Sequence, residues 1–301
     1  PLFSTVLMLG VPAQLAGCLE IVLCTPTNRK GEIHPAILYT AQLVGITKVV
    51  KIGGAQAIAA LTFGTESVPK VDKIFGPGNQ YVTAAKQEAT KYGVAIDMPA
   101  GPSEVLVYAD ETAIPAFVAA DLLSQAEHGV DSQVVFVTSS EKFTHKVMTE
   151  INLQLETLPR KEIAAKALTI SCAVILEDQA SAIALINEYA PEHLILAVKK
   201  EEEVAKQIHS AGSVFLGNYS PEAAGDYASG TNHTLPTSGY ARNYSGVSLD
   251  SFVKKITYQK ITPKGLKALG PVVEIMAANE QLDAHKQAVS VRLEYLKQQK
   301  K

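Results

Sequence analysis

Short apolar runs alternate with longer segments of helical period along most of the chain. Over the first hundred residues, strand-like runs at 19–24, 48–52, 71–75 and 94–97 are separated by helix-like segments at 34–44, 55–61 and 79–91. Pro35 suits a first helical turn and Gly45 a helix end. A second set follows, with strands at 105–108, 134–138, 172–176, 194–198 and 213–216 and helices at 115–126, 142–155, 179–189 and 201–209. Strand, tight turn and helix in repetition predict parallel sheets with helices on both faces. The fold class is α/β, with two tandem doubly wound, Rossmann-like units and a mostly helical C-terminal tail. A Pro/Gly-rich crossing, Met98 to Glu104, separates the units. The expected domains are 1–101, 102–245 and 246–301, with the cleft between the two units as the natural ligand site. Residues 247–261 alternate like a strand or hairpin, and helices are expected at 263–268, 271–278 and 280–299. That tail has too little apolar surface to fold alone and should pack on the body or on a second subunit.

Composition narrows the classes. The chain has 301 residues, 47% hydrophobic and 19% charged, enough to bury sizeable cores. A net charge of -3 without a basic run gives no reason to expect nucleic acid or a membrane surface as partner. No apolar run approaches the ~18 residues of a membrane span. Three cysteines, Cys18, Cys24 and Cys172, with no CxxC pair, favour a reducing compartment. The first residues carry neither an initiator Met nor a signal pattern and read as the middle of a domain, so a longer product is expected. The expected location is the cytoplasm, or an organelle stroma if a preceding segment carries a transit peptide.

Candidate chemistry sits at the joints of this pattern. Glu192 and His193 adjoin where a helix ends before Pro191 and a strand begins. Histidine exchanges protons near neutral pH and a carboxylate can activate water. The plainer reading is a surface Glu beside a partly buried His. Alternation along a strand would send the two to opposite faces. Gln125 and His128 stand three apart at a helix end, a workable spacing for two metal ligands or simply a polar last turn before Gly129. The stretch 217–244 reads as one long loop in which Asp226 offers an oxygen ligand and His233 and Arg242 add polar groups. Gly53-Gly54 and Gly76-Pro77-Gly78 follow strands and open helices, as phosphate-binding turns do, but neither is GxGxxG. Gln56 and Asn79 are polar there, where a turn alone needs no polar side chain. Glu280 and His285 lie near the start of the last helix.

Together these motifs resemble histidinol dehydrogenase. They are Gly53-Gly-Ala-Gln-Ala-Ile-Ala-Ala60, Phe75-Gly-Pro-Gly-Asn79, Asp97-Met-Pro-Ala-Gly-Pro-Ser-Glu104, Ser124-Gln-Ala-Glu-His128, Ala190-Pro-Glu-His-Leu194, Ala224-Gly-Asp-Tyr-Ala-Ser-Gly-Thr-Asn-His233 and Ala284-His285. The resemblance spans nearly the whole chain. It implies a homodimer with shared sites, one Zn2+ per subunit, and oxidation of L-histidinol to L-histidine through the aldehyde with two NAD in succession. It further implies Gln125, His128, Asp226 and His285 as metal ligands, the last supplied by the tail of the partner subunit. Glu192 and His193 match the acid/base pair. Ser103, His233 and Glu280 match substrate contacts, together with His193 and the four metal ligands, and Gln56 and Asn79 match nucleotide contacts. Two other readings compete: an aldehyde dehydrogenase using a cysteine thiolate, and a non-catalytic zinc-binding dimerisation module.

Overall fold

The computed structural model describes residues 2–299, and the chain divides after Val253 into two compact units. The first opens with α1 (Phe3–Leu15), β1 (Val22–Cys24), α2 (Pro35–Leu43), β2 (Lys48–Val50), α3 (Gly54–Phe63), β3 (Lys73–Ile74), α4 (Gln80–Thr90) and β4 (Ala95–Ile96). Here β1 pairs with β2 and β3 with β4, each parallel, as two separate two-stranded sheets. Next come β5 (Glu104–Ala109), α5 (Pro115–Ala126), β6 (Gln133–Thr138), α6 (Glu141–Leu155), α7 (Lys161–Leu168), β7 (Cys172–Ile175), α8 (Gln179–Tyr189), β8 (His193–Ala197), α9 (Glu201–Ala205), β9 (Ser213–Leu216) and α10 (Glu222–Tyr227).

The five strands β5 to β9 form one parallel sheet in the order β7-β6-β5-β8-β9. Its central strands are buried on both faces, so they read as continuous apolar runs rather than alternations. Val105, Val107 and Ala109 of β5 pack with Ala119 and Leu122 of α5, Phe143 and Val147 of α6 and Ala164 of α7. Leu106 and Tyr108 face the other way, toward Ala182, Ile183 and Ile186 of α8. Helices therefore cover both faces, as a doubly wound sheet requires. Their ends are set locally. Pro115 occupies the first turn of α5, Ser140 accepts from Phe143 N–H at 3.2 Å, and Asp178 accepts from Ser181 N–H at 2.8 Å.

The second unit holds α11 (Pro263–Asn279) and α12 (Asp283–Gln298), packed on each other. Pro271 does not split α11 into the two helices expected at 263–268 and 271–278. One lost backbone bond is outweighed by packing at Gly270, where Leu293 of α12 comes so close that a Cβ would stand 2.7 Å from its Cδ1. Glu280 consequently sits in the turn before α12, not in it.

Other expectations also change. Residues 247–261 form neither strand nor hairpin. A single turn at Leu249–Ser251 leads into extended chain that is mostly exposed, so its alternation has no core to face. The helix expected at 201–209 stops at Ala205. The stretch read as one long loop contains α10 and a 3-10 turn at Tyr240–Arg242. Two helices, α1 and α7, were not anticipated. Among the described residues no helix is long and apolar enough to cross a membrane.

Candidate active site

The chemistry gathers at the amino ends of β5, β8 and β9. Pro191 forbids a further helical turn, and Ala190 ends α8 in the left-handed region at φ 53°, a costly conformation for a residue with a Cβ. The corner is pinned to the next strand, because the Pro191 and Glu192 carbonyls accept from Gly212 and Ser213 N–H, each at 2.9 Å. Glu192 and His193 are 6% and 4% exposed. They do not diverge to opposite faces. Glu192 precedes the strand, and its Oε2 lies 3.6 Å from His193 Nδ1.

Both groups are held by the backbone of Glu104. Its N–H donates to Glu192 Oε2 at 2.9 Å, and its carbonyl lies 3.1 Å from His193 Nδ1. A carbonyl only accepts, so Nδ1 carries a hydrogen, and Nε2 is the ring atom left to exchange a proton with a ligand. That buried Nε2 has no hydrogen-bond partner and stands 3.8 Å from Asp226 Oδ1. Burial alone would lower His193, but the Glu192, Glu222 and Asp226 carboxylates outweigh it and hold it up to about 9. The Glu104 side chain is itself buried and raised to about 7 by loss of solvent, with one oxygen accepting from Ser238 N–H at 2.8 Å.

Three side chains able to hold a metal converge beside this pair. Donor atoms of His128, Glu222 and Asp226 lie within 4.8 Å of one another. His128 follows the end of α5, while Glu222 and Asp226 are four apart on α10 and so share a face. Gln125 is buried. With its amide oriented to match its neighbours, the nitrogen donates to Glu222 Oε1 at 2.7 Å and the oxygen accepts from Glu104 N–H at 3.1 Å. Burial raises Glu222 to about 8 and Asp121 to about 7. Two largely buried carboxylates with little counter-charge, beside the exposed imidazole of His128, suit a divalent cation such as zinc. Glu222 was missed in the sequence. The signal was its spacing from Asp226, which carries meaning only once 222–227 is read as helical.

A pocket lies between Glu192 and the first half of the unit, lined by Gly76, Gly78, Ser103, Glu192 and His233 among others. The Gly76 turn is braced by a buried Lys86–Asp97 ion pair. Lys86 Nζ donates to the Gly76 carbonyl at 2.9 Å, and Asp97 accepts from Gly76 N–H at 2.8 Å. Asn79 does serve its turn, since its side-chain oxygen caps α4 by accepting from Tyr81 and Val82 N–H. Gln56 is exposed in the first turn of α3. His233 Nε2 lies 3.2 Å from Ser4 Oγ of α1. His285, on α12, and Glu280 are exposed within the second unit.

The cysteines stand apart from this constellation. Cys24 is on β1, where burial raises its thiol, and Cys172 begins the edge strand β7. A raised thiol is a poor nucleophile, which argues against a thiolate mechanism.

Comparison with known proteins agrees with the geometry. The family profile described as histidinol dehydrogenase matches residues 1–293. Histidinol dehydrogenase of Bacteroides thetaiotaomicron is 66% identical over 297 residues, covering 99% of this chain and 69% of that protein. That of Bacteroides fragilis strain YCH46 is 65% identical with the same coverage. The crystal structure of histidinol dehydrogenase from Elizabethkingia anophelis superposes with a TM-score of 0.97 at 65% identity, over 99% of this chain and 69% of that one. The chain belongs to the histidinol dehydrogenase family.

Proposed function

We propose that this chain oxidises L-histidinol to L-histidine through L-histidinaldehyde, in two successive hydride transfers to NAD at a zinc site. Family membership makes it an oxidoreductase of histidine biosynthesis. The observation that carries the finer reading is His193. Its Nδ1 is fixed on a carbonyl and its Nε2 is free, buried and next to the metal donors.

In the first oxidation the substrate hydroxyl gives its proton to His193 Nε2 as the carbinol carbon loses hydride, leaving the aldehyde. In the second, Glu192 removes a proton from the water that adds to the aldehyde, and loss of a second hydride leaves the carboxylate. Glu192 keeps one oxygen on the Glu104 N–H, which fixes its direction. Ser103 and His233 line the same pocket and would contact the substrate, and Glu280 would complement its amino group. The N-termini of α3 and α4, with Gln56 and Asn79, would receive NAD, which takes up the two hydrides. Gln125, His128, Asp226 and His285 would hold zinc, which supplies a Lewis-acid anchor for the substrate's nitrogens and offsets the surrounding carboxylates. The tail's exposed apolar residues favour a homodimer with shared sites, and three free cysteines favour the cytoplasm. NADH formation from histidinol and, separately, from histidinaldehyde by zinc-loaded protein tests the reading. No NADH from either substrate would overturn it.

A further inference from the structure

We propose that the buried Lys86–Asp97 ion pair is a positioning device for the nucleotide, holding the Gly76-Pro77-Gly78 turn in the conformation that receives NAD. The proposal rests on the reading of that turn and the α4 N-terminus as part of the NAD site. Three observations carry it. First, the pair grips a single residue from both sides. Lys86 Nζ donates to the Gly76 carbonyl at 2.9 Å, and Asp97 Oδ2 accepts from the Gly76 N–H at 2.8 Å. Those two groups flank the two soft dihedrals of Gly76, so holding both fixes φ and ψ together. Gly76 sits at φ 131°, a region that favours glycine, and an ungripped glycine has many other conformations to visit. Second, the pair gains little as a source of stability. Its side chains are 4% and 1% exposed, and attraction between charges so dry scarcely exceeds the loss of their hydration. What it adds is charge-assisted bonds of fixed direction. Third, both residues line the pocket, and the same elements hold a second stretch of its lining. Asp97 Oδ1 accepts from Met98 N–H at 2.7 Å, and Thr83 Oγ1, on α4 with Lys86, donates to the Ala100 carbonyl at 2.6 Å. The Gly76 turn is thereby tied to the crossing that carries Ser103.

A turn found in its binding conformation about one time in ten binds about tenfold more weakly, because apparent affinity scales with the competent fraction. The test compares the zinc-loaded full chain as wild type, Lys86→Met and Lys86→Met/Asp97→Asn. The double variant leaves no charge buried alone and keeps an acceptor for the Gly76 N–H. NAD+ affinity is read by titration calorimetry, histidinol KM by NADH formation, and folding by melting curves. We expect both variants to lose at least about tenfold in NAD+ affinity, with histidinol KM at saturating NAD+ within about threefold of wild type. Amide exchange of wild type needs no variant: the Gly76 N–H should be protected equally with and without NAD+. The proposal is overturned if the double variant melts lower yet binds NAD+ as wild type does, which makes the pair a fold contact only. It is equally overturned if histidinol KM rises while NAD+ affinity holds, or if the wild-type Gly76 amide exchanges freely until NAD+ is added. If wild type itself takes up no NAD+, the nucleotide reading of the turn fails and the proposal with it. Should neither variant fold, the wild-type exchange decides.

Discussion

At the scale of single residues the site brings together groups of opposite character, a buried imidazole with an unpartnered nitrogen and carboxylates short of solvent. Replacing His193 by Asn removes its buried, unpartnered ring nitrogen while leaving His128 and Asp226 in place. Both oxidations should fall by about 10²–10⁴-fold with metal content unchanged on elemental analysis. Loss of the metal would make His193 a ligand instead. Glu192→Gln keeps an acceptor for the Glu104 N–H but cannot take a proton from water. The aldehyde step should therefore fall more than the alcohol step, and equal losses in separate assays would refute the division of roles. Asp121 carries a pH signature. Burial raises it to about 7 from 3.8, so the folded chain binds a proton that the unfolded chain releases. Stability is then lost as pH rises from about 4 to 7. In metal-free melts Asp121→Asn should gain a few degrees at pH 8 and almost nothing at pH 4. A gain of equal size at both would exclude this cause. Glu192, His193, Gln125 and His128 were legible in the sequence because a proline and a helical spacing frame them. Glu104 was not, because it holds Glu192 and His193 through its own N–H and carbonyl, which every non-proline residue possesses.

At the scale of elements, the corner between α8 and β8 decides where Glu192 stands. Gly212 leads into β9 against that corner, and a Cβ there would meet the Glu192 carbonyl oxygen at 2.5 Å. A backbone oxygen cannot swing aside as a side chain does. Gly212→Ala should cost about 1–3 kcal/mol and move Glu192, lowering the aldehyde step at least tenfold. A variant with wild-type melting temperature and rate would show that the corner is more compliant than its hydrogen bonds imply. Elements governed by their own residues were read well from sequence. The helices at 115–126 and 179–189 and the strand at 213–216 have the expected bounds. Elements governed by remote partners were not. The helix Phe3–Leu15 shows no polar face to mark its period, and the alternation at 247–261 meets no neighbouring strand. Pro271 stays inside one helix, with Leu293 filling the space over Gly270, a contact the local sequence does not show.

At the scale of the molecule the second unit poses the remaining problem of assembly. Leu269, Val272, Ile275 and Met276 of α11 and Tyr295 of α12 are exposed, more apolar surface than a helical pair of this size leaves in water unless it has a partner. His285 lies on α12, while Gln125, His128, Glu222 and Asp226 all belong to the first unit. If the tail crosses to a second subunit, each site takes His285 from one chain and the remaining donors from the other. His285→Ala and Asp226→Ala should each be inactive alone. Mixed under conditions of subunit exchange, they form heterodimers in which one site carries both defects and the other carries none. Activity should return toward one working site per mixed dimer, about a quarter of wild-type turnover for an equal, random mixture, since half of such dimers are mixed. The measurement is histidinol-dependent NADH formation before and after exchange, with exchange verified by differently tagged subunits. Verified exchange without recovered activity would mean that His285 serves its own chain, and the shared-site arrangement would fall while the assignment of the donors stood.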